Sequence, residues 1–104
     1  MSTPLDIRLS KQAAEQIETA AEWWLKNRPA APGAIRKDLA EILSVLAEHS
    51  GIGTPATKTR IKGLRRIYLS RIRYYVYYRE RGDVLEVLAF WHASRRQPPR
   101  INTQ

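Results

Sequence analysis

Apolar and polar residues alternate at the start of the chain and then change to a helical spacing. The segment Leu5-Asp6-Ile7-Arg8-Leu9 has period two, which predicts a half-buried strand. Ser10 is a typical helix N-cap, and from Lys11 to about Arg28 small and apolar residues recur every three or four positions. The sequence therefore predicts a strand followed by an amphipathic helix. The predicted buried stripe of this helix is Ala13, Ala14, Ile17, Ala20, Ala21, Trp24 and Leu25.

A second amphipathic helix is predicted from about Pro32 to His49. Pro29 and Pro32 interrupt the first helix, because proline cannot continue the backbone hydrogen-bond ladder. Gly51 and Gly53 follow the second helix and favour its termination. The short connection makes the two helices an antiparallel hairpin. The second stripe is Ile35, Leu39, Ile42, Leu43 and Leu46, with Val45 off the main face.

The rest of the chain has the pattern of a three-stranded meander. Strands are predicted over 64–69, 72–80 and 83–91, with two-residue turns at Ser70-Arg71 and Arg81-Gly82. Pairing across these turns gives the same apolar face in all three strands, which supports the register. That face comprises Ile67, Leu69, Tyr74, Val76, Tyr78, Leu85, Val87 and Ala89.

These elements predict an α+β fold in the order β-α-α-β-β-β. A helical hairpin would pack on the apolar face of a small, mainly antiparallel four-stranded sheet, because all the strands share that face. The length of 104 residues allows one domain, so residues 1–104 are expected to form a single unit. A hydrophobic fraction of 43% with 27% charged residues is typical of a globular chain.

Composition excludes several classes of site. The chain has no cysteine and only two separated histidines, so no metal site and no cofactor is expected. No apolar run has the length of about 20 residues that a membrane helix needs, and no signal-peptide core follows Met1. We therefore expect a cytoplasmic protein without membrane contacts.

The charge is strongly asymmetric. The net charge of +8 arises entirely after residue 57: residues 1–57 carry six basic and seven acidic side chains, whereas residues 58–104 carry twelve and three. Such a field favours an anionic partner, whether nucleic acid, ribosome or an acidic protein segment.

The second face of the meander, which we call the open face, combines arginine and tyrosine. Arginine binds phosphate or carboxylate in a bidentate manner and tyrosine stacks, so this face suits nucleic acid or a protein interface; an ordinary solvated sheet face has a similar composition. Glu86 is expected to pair with a cross-strand arginine. The open face comprises Arg66, Tyr68, Arg73, Tyr75, Tyr77 and Arg79, edged by Glu86, Phe90 and His92.

The order of these elements resembles the ParE/RelE superfamily of bacterial type II toxins. The resemblance spans roughly Leu5 to Arg96 and rests on Gly63-Leu64-Arg65-Arg66, on the run from Arg73 to Arg79, and on Trp91-His92-Ala93-Ser94-Arg95-Arg96. For the ParE branch it implies poisoning of DNA gyrase and neutralisation by a ParD-like antitoxin, encoded by the adjacent gene, in a hetero-oligomer. For the RelE branch it implies cleavage of mRNA on the ribosome.

The C-terminal residues favour the ParE branch. RelE-like enzymes use lysines, strand arginines and a C-terminal tyrosine, whereas residues 93–104 contain no tyrosine. His92 could replace it, because its ordinary pKa lies near neutrality. If the chain is a nuclease, the candidate catalytic residues are Lys62, Arg66, Arg73 and His92. A non-toxic basic nucleic-acid-binding module is a third possibility.

Two overlapping sets of residues are expected to make contacts. Trp23 and Trp24 lie about 100° apart on a helix, so Trp24 continues the buried stripe and Trp23 is left for a partner. The expected antitoxin contacts are Trp23, Arg66, Tyr68 and Arg73. The expected target contacts are Arg73, Tyr75, Tyr77, Arg79, His92, Arg95 and Arg96.

Overall fold

The computed structural model describes residues 3–102, which form two helices packed against a five-stranded sheet. Its strand order is β1-β5-β4-β3-β2, antiparallel throughout except for the parallel β1–β5 pair. The predicted α+β fold is confirmed, but the sheet has five strands rather than four, because two residues after the helical hairpin pair with β3. The elements are β1 (Asp6–Leu9), α1 (Lys11–Asn27), α2 (Ala34–Glu48), a 3₁₀ turn (Ser50–Ile52), β2 (Thr54–Pro55), β3 (Arg65–Leu69), β4 (Tyr74–Arg81) and β5 (Val84–His92).

Both helices have the predicted amphipathic character. The Ser10 side chain accepts the Ala13 backbone N–H at 3.0 Å and caps α1. The buried stripe of α1 is narrower than predicted, because Leu25, which was expected to belong to it, is 58% exposed. Val45 of α2 is exposed, as predicted. The buried helical residues are Ala13, Ile17 and Ala20 of α1 and Ala34, Ile35, Leu39, Leu43, Leu46 and Ala47 of α2.

The main core lies between the helices and one face of the sheet. Val76 and Val87 are completely buried there, which confirms the predicted core face of β4 and of the first half of β5. The largest fully buried side chains are Ile35, Leu46, Ile72, Val76, Tyr78, Leu85, Val87 and Phe90. Among residues 3–102, no helix is long and apolar enough to cross a membrane.

Both predicted turns are displaced by about one position. Arg81 pairs with Val84, so the β4–β5 turn is Gly82-Asp83, where Gly82 has a φ of +60° that suits glycine. Leu69 pairs with Tyr74, so the connection from β3 to β4 spans residues 70–73. Each correction shifts the register by two residues and leaves the predicted faces unchanged.

A β-bulge in β5 changes the second half of that strand. Tyr78 pairs with Val87 and Tyr77 pairs with Ala89, so Leu88 is the extra residue. Phe90 consequently lies on the helix face and is buried, whereas Ala89 lies on the opposite face. The predicted faces of these two residues were therefore wrong, because strict alternation does not allow for an inserted residue.

The opposite face of the sheet carries a second small core. Tyr77 was predicted to be exposed on the open face, but it is only 4% exposed, so that prediction was wrong at this residue. The loop before β3 and the segment after β5 cover it through Ala56, Ile61 and Ile101. The buried residues of this second core are Leu64, Tyr77, Leu88 and Ala89.

Side chains of α1 hold the sheet and the C-terminal segment. The Gln16 Oε1 atom accepts the Phe90 backbone N–H at 2.8 Å, just after the bulge. Gln12 donates to the Arg100 carbonyl and accepts the Asn102 N–H. Residues 93–102 are thus part of the folded domain.

Candidate functional site: a basic cleft

A cleft of about 650 Å³ lies on the sheet face opposite the helices. Its floor is formed by side chains of β3, β4 and β5, one wall by the loop 54–61, and the other wall by the segment 92–101. We call it the basic cleft. The lining includes five of the residues that were expected to contact a target: Tyr75, Tyr77, His92, Arg95 and Arg96.

Two arginines in the cleft stack on aromatic rings. The Arg66 guanidinium carbon lies 4.4 Å from the centre of the Tyr75 ring, and that of Arg95 lies 4.1 Å from the Trp91 ring. Stacking holds each guanidinium in a fixed plane while its N–H groups remain donors. The cleft therefore presents two oriented cations instead of two mobile ones.

The electrostatics of the cleft have one sign. Lys58, Arg60 and Arg96 add their charges to the two stacked arginines, and none of the lining residues, all within 54–101, is acidic. Neighbouring cations in a concave surface reinforce each other's field. The basic cleft is thus suited to an anionic group.

Tyr78 anchors the base of the loop wall. Its hydroxyl accepts the Gly53 N–H at 2.9 Å and donates to the Ser50 carbonyl at 2.6 Å, and burial raises the pKa of Tyr78. Arg65 donates to the Gly53 carbonyl at 2.6 Å. These contacts fix the chain where it leaves α2 and enters the loop 54–61.

His92 lies at the rim of the basic cleft, and its ring is held by neighbours. The Ser94 backbone N–H donates to Nδ1 at 3.1 Å, and the Ser94 hydroxyl lies 2.7 Å from the same nitrogen. The ring also packs edge-on against Tyr74, with 4.9 Å between centroids. Because Nδ1 accepts a hydrogen bond, the neutral ring carries its proton on Nε2.

Two arginines expected at the target surface do not line the basic cleft. Arg79 forms an ion pair with Glu86 at 2.8 Å, and both side chains are largely buried, which confirms the predicted pairing of Glu86. Arg73 lies in the β3–β4 turn with a φ of +64° rather than within a strand, and its side chain is exposed.

The candidate nuclease residues are not brought together. Arg66 and His92 line the basic cleft, whereas Lys62 and Arg73 are not among its lining residues. Lys62 is exposed in the turn that precedes β3.

The four expected antitoxin contacts lie on different surfaces. Trp23 on α1 is 50% exposed, and its ring lies 6.3 Å from that of Trp24. Tyr68 borders a shallow groove of about 350 Å³ between α2 and β3, and its ring also lies 5.0 Å from Tyr75 at the basic cleft. Arg66 lies in the cleft and Arg73 in the turn.

Sequence reasoning missed the role of Trp91 in this site. The bulge at Leu88 rotates Trp91 onto the cleft face beside Tyr75, with which it pairs. The charged loop residues Lys58 and Arg60 were visible in the sequence, but nothing there indicated that the C-terminal segment would lie opposite them.

The amino-acid sequence of the chain matches a known protein family over most of its length. The family model of the ParE toxin of the type II toxin-antitoxin system, parDE, matches residues 7–97. The chain belongs to the ParE toxin family. The match begins within β1, spans both helices and includes all but three of the residues that line the basic cleft.

A solved structure supports the ParE fold. The chain is similar to one described as the chromosomal ParDE TA system from P. aeruginosa, with a TM-score of 0.72 and 16% sequence identity. The alignment covers 89% of this chain and 100% of that chain. No curated protein sequence matches this chain significantly.

Proposed function

We propose that this ParE family member inhibits bacterial growth by poisoning DNA gyrase, without catalytic turnover of its own, and that a cognate antitoxin neutralises it. Family membership supports the toxin class. The observation that favours binding over cleavage is the basic cleft, which offers oriented cations and flat rings but no carboxylate.

The arrangement of titratable groups supports a non-nuclease mechanism. Cleavage of RNA by its 2′-hydroxyl needs a base for that proton, a cation for the phosphorane and an acid for the leaving oxygen. At the cleft, Nδ1 of His92 already bonds with Ser94, and Lys62 and Arg73 lie elsewhere. Of the four candidate nuclease residues, Arg66 and His92 are the two that line the cleft.

The target surface in this proposal is the basic cleft with its C-terminal wall. Arg95 and Arg96 belong to the segment after β5 and Tyr75 and His92 belong to the strands, and all four line the cleft. Tyr77 is buried and supports this surface from below. Arg73 extends the positive field beyond the cleft, whereas Glu86 offsets the charge of Arg79.

An induction experiment tests the target. Expression of the chain without its antitoxin is expected to produce DNA breaks, an SOS response and filamentous cells while mRNA stays intact. In the double variant Arg95→Ala/Arg96→Ala, growth inhibition should be at least about tenfold weaker than in the wild type. The reason is that cations at an interface centre carry much of the binding energy. Arg81→Ala, an exposed arginine outside the cleft, is the matched control.

Other outcomes would identify the alternatives. Translational arrest with mRNA cuts mapped inside ribosomes would establish a RelE-like endonuclease, and in that case His92→Gln should reduce cleavage by about 10²-fold or more. Normal growth after induction, with the neighbouring antitoxin gene deleted, would leave a non-toxic basic nucleic-acid-binding module.

The antitoxin is proposed to cover both an apolar and a basic surface. An acidic segment with an amphipathic helix would pair with Arg66 and Arg73 and bury the exposed faces of Trp23 and Tyr68. Such a protein is expected from the adjacent gene. Co-expression with that gene's product should give a stable hetero-oligomer, and Trp23→Ala should weaken it while Lys11→Ala, at the opposite end of α1, should not.

Strand β1 offers this antitoxin a further contact. In residues 3–102 its outer edge pairs with no other strand, and Ile7 and Leu9 are 42% and 44% exposed. Free edges with apolar side chains are typical of strands that accept an added chain. Ile7→Lys is expected to lower antitoxin affinity with little change in toxicity.

A further inference from the structure

We propose that the basic cleft binds a nucleoside phosphate. This inference goes beyond gyrase poisoning, because it assigns a ligand to the cleft of the isolated protein. The volume of about 650 Å³ lies within the range of about 300–1,000 Å³ that is common for small-molecule sites.

The phosphate would be held by the arginines. Guanidinium groups bind phosphate oxygens in a bidentate geometry, and the stacks on Tyr75 and Trp91 fix the planes of Arg66 and Arg95 in advance. Lys58 and Arg60 approach from the facing loop, so a phosphate in the cleft has cations on both sides. With no acidic lining residue, nothing in the cleft repels it.

The base would be held by flat and apolar surfaces. Nucleobases stack on aromatic rings and on guanidinium planes, and the cleft contains both kinds of surface within its floor and C-terminal wall. Leu64, Ile61 and Ile101 add apolar surface beside them. An acidic protein side chain would use the cations but would make no use of the flat and apolar surfaces of the lining. The combined lining therefore favours a nucleotide over a carboxylate.

The direct test is calorimetric titration of the purified protein at about 0.15 M ionic strength. ADP and pyrophosphate carry the same diphosphate, so their difference isolates the nucleoside. We expect ADP to bind at least about tenfold more tightly than pyrophosphate. A gain in affinity of this size is what the stacking of one base contributes. A 5′-phosphorylated DNA tetranucleotide distinguishes the source: tighter binding than ADP indicates a strand end, and equal or weaker binding indicates a free nucleotide.

Matched variants locate the site. Arg66→Ala and Arg95→Ala should each weaken ADP binding roughly tenfold, because each removes one bidentate contact. Arg81→Ala removes the same charge outside the cleft and should change the affinity by about twofold at most at this ionic strength. Tyr75→Leu keeps an apolar side chain but removes the ring, so it should reduce the preference for ADP over pyrophosphate. Thermal unfolding verifies that each variant is folded.

Three results would overturn the proposal. Equal affinity for ADP and pyrophosphate would show a site for anions without a base-binding surface. Tighter binding of hexaglutamate than of ADP would assign the cleft to an acidic protein segment. Absence of ADP binding at about 1 mM, the weak end of specific binding, would leave the cleft without this ligand. None of these results bears on gyrase, whose poisoning is measured separately in cells.

Discussion

The hydroxyl of Tyr78 accepts the backbone N–H of Gly53 at 2.9 Å, which joins the centre of the sheet to the end of the helical hairpin. The same hydroxyl donates to the Ser50 carbonyl. This close approach leaves no room for a side chain at Gly53, since an added Cβ would collide with the Tyr78 hydroxyl and lie 2.9 Å from the Arg66 carbonyl. A glycine here is therefore required by space and not by backbone torsion.

Gly53→Ala is expected to destabilise the protein by about 1–3 kcal/mol, as overpacking of a buried site usually does. Urea unfolding followed by circular dichroism measures this change. Gly51→Ala is the control two residues away, because a Cβ at Gly51 meets no atom within 4 Å. Equal stability of the two variants would show that the Tyr78 hydroxyl can move aside without cost.

Tyr78 should also make the protein sensitive to alkaline pH. Burial raises its pKa above the ordinary value of about 10, so the folded state holds the phenolic proton more tightly than the unfolded state. The resulting stability is fully present below about pH 10 and is lost as pH rises through the folded pKa. Burial raises the pKa of Tyr74 as well, with the same sign.

We therefore expect the urea midpoint to be constant between about pH 7 and 9 and to fall above about pH 10. Tyr78→Phe should lower stability by about 1–3 kcal/mol at pH 8, because it leaves the Gly53 N–H and the Ser50 carbonyl without their partner. Its decline above pH 10 should be shallower than that of the wild type. A parallel decline would mean that Tyr78 is not the group responsible.

The ion pair of Arg79 and Glu86 predicts unequal effects of two arginine substitutions in β4. Arg79→Ala leaves Glu86 largely buried without its partner and should cost about 1–2 kcal/mol, between the values for surface and buried pairs. Arg81→Ala, at the exposed end of the strand, should change stability by about 0.5 kcal/mol or less. Thermal unfolding of both variants measures the difference, and equal melting temperatures would contradict it.

Arg73 has an unfavourable backbone conformation, with a φ of +64°. Arg73→Gly should stabilise the fold by about 0.5–1 kcal/mol, because glycine adopts this region without strain although it adds freedom to the unfolded chain. Arg73→Ala retains most of the strain and is the control. If toxicity falls in both variants while stability rises only in the glycine variant, Arg73 acts through its side chain at a target.

Truncation tests the role of the segment after β5. Removal of residues 98–104 deletes Ile101 and the backbone groups that bond with Gln12, so it should expose the second core and lower stability by about 1–3 kcal/mol. Loss of toxicity in a truncated protein therefore needs a stability measurement beside it. The point variant Ile101→Ala, which keeps the chain length, should reproduce most of the destabilisation.

The sequence predicted the elements of this fold better than their exact pairing. Alternation in β4 placed Val76 and Tyr78 in the core, and helical spacing placed Ile17 and Leu39 there, because burial of one face dominates these segments. The bulge at Leu88 was not predictable from alternation, since the residues around it are apolar on both faces.

The candidate site was predictable only in part for the same reason. Arg66, Tyr75 and Arg95 were identified from their residue types, and the structure places all three at the basic cleft. The second wall of the cleft depends on contacts between distant parts of the chain. Gln12 bonds with Asn102 across ninety positions, and no local pattern contains such a contact.

The parallel pairing of β1 with β5 has a consequence for synthesis of the toxin. Residues 6–9 of β1 pair with residues 84–87 of β5. The first strand to be synthesised can therefore pair only after the last strand has been synthesised. Until β5 has left the ribosome, β1 has no neighbour in the sheet and α1 lacks its main packing surface. Contacts this distant in sequence form slowly. A chain that lacks β5 therefore cannot complete the sheet, so the folded domain and its basic cleft form only after translation has passed β5.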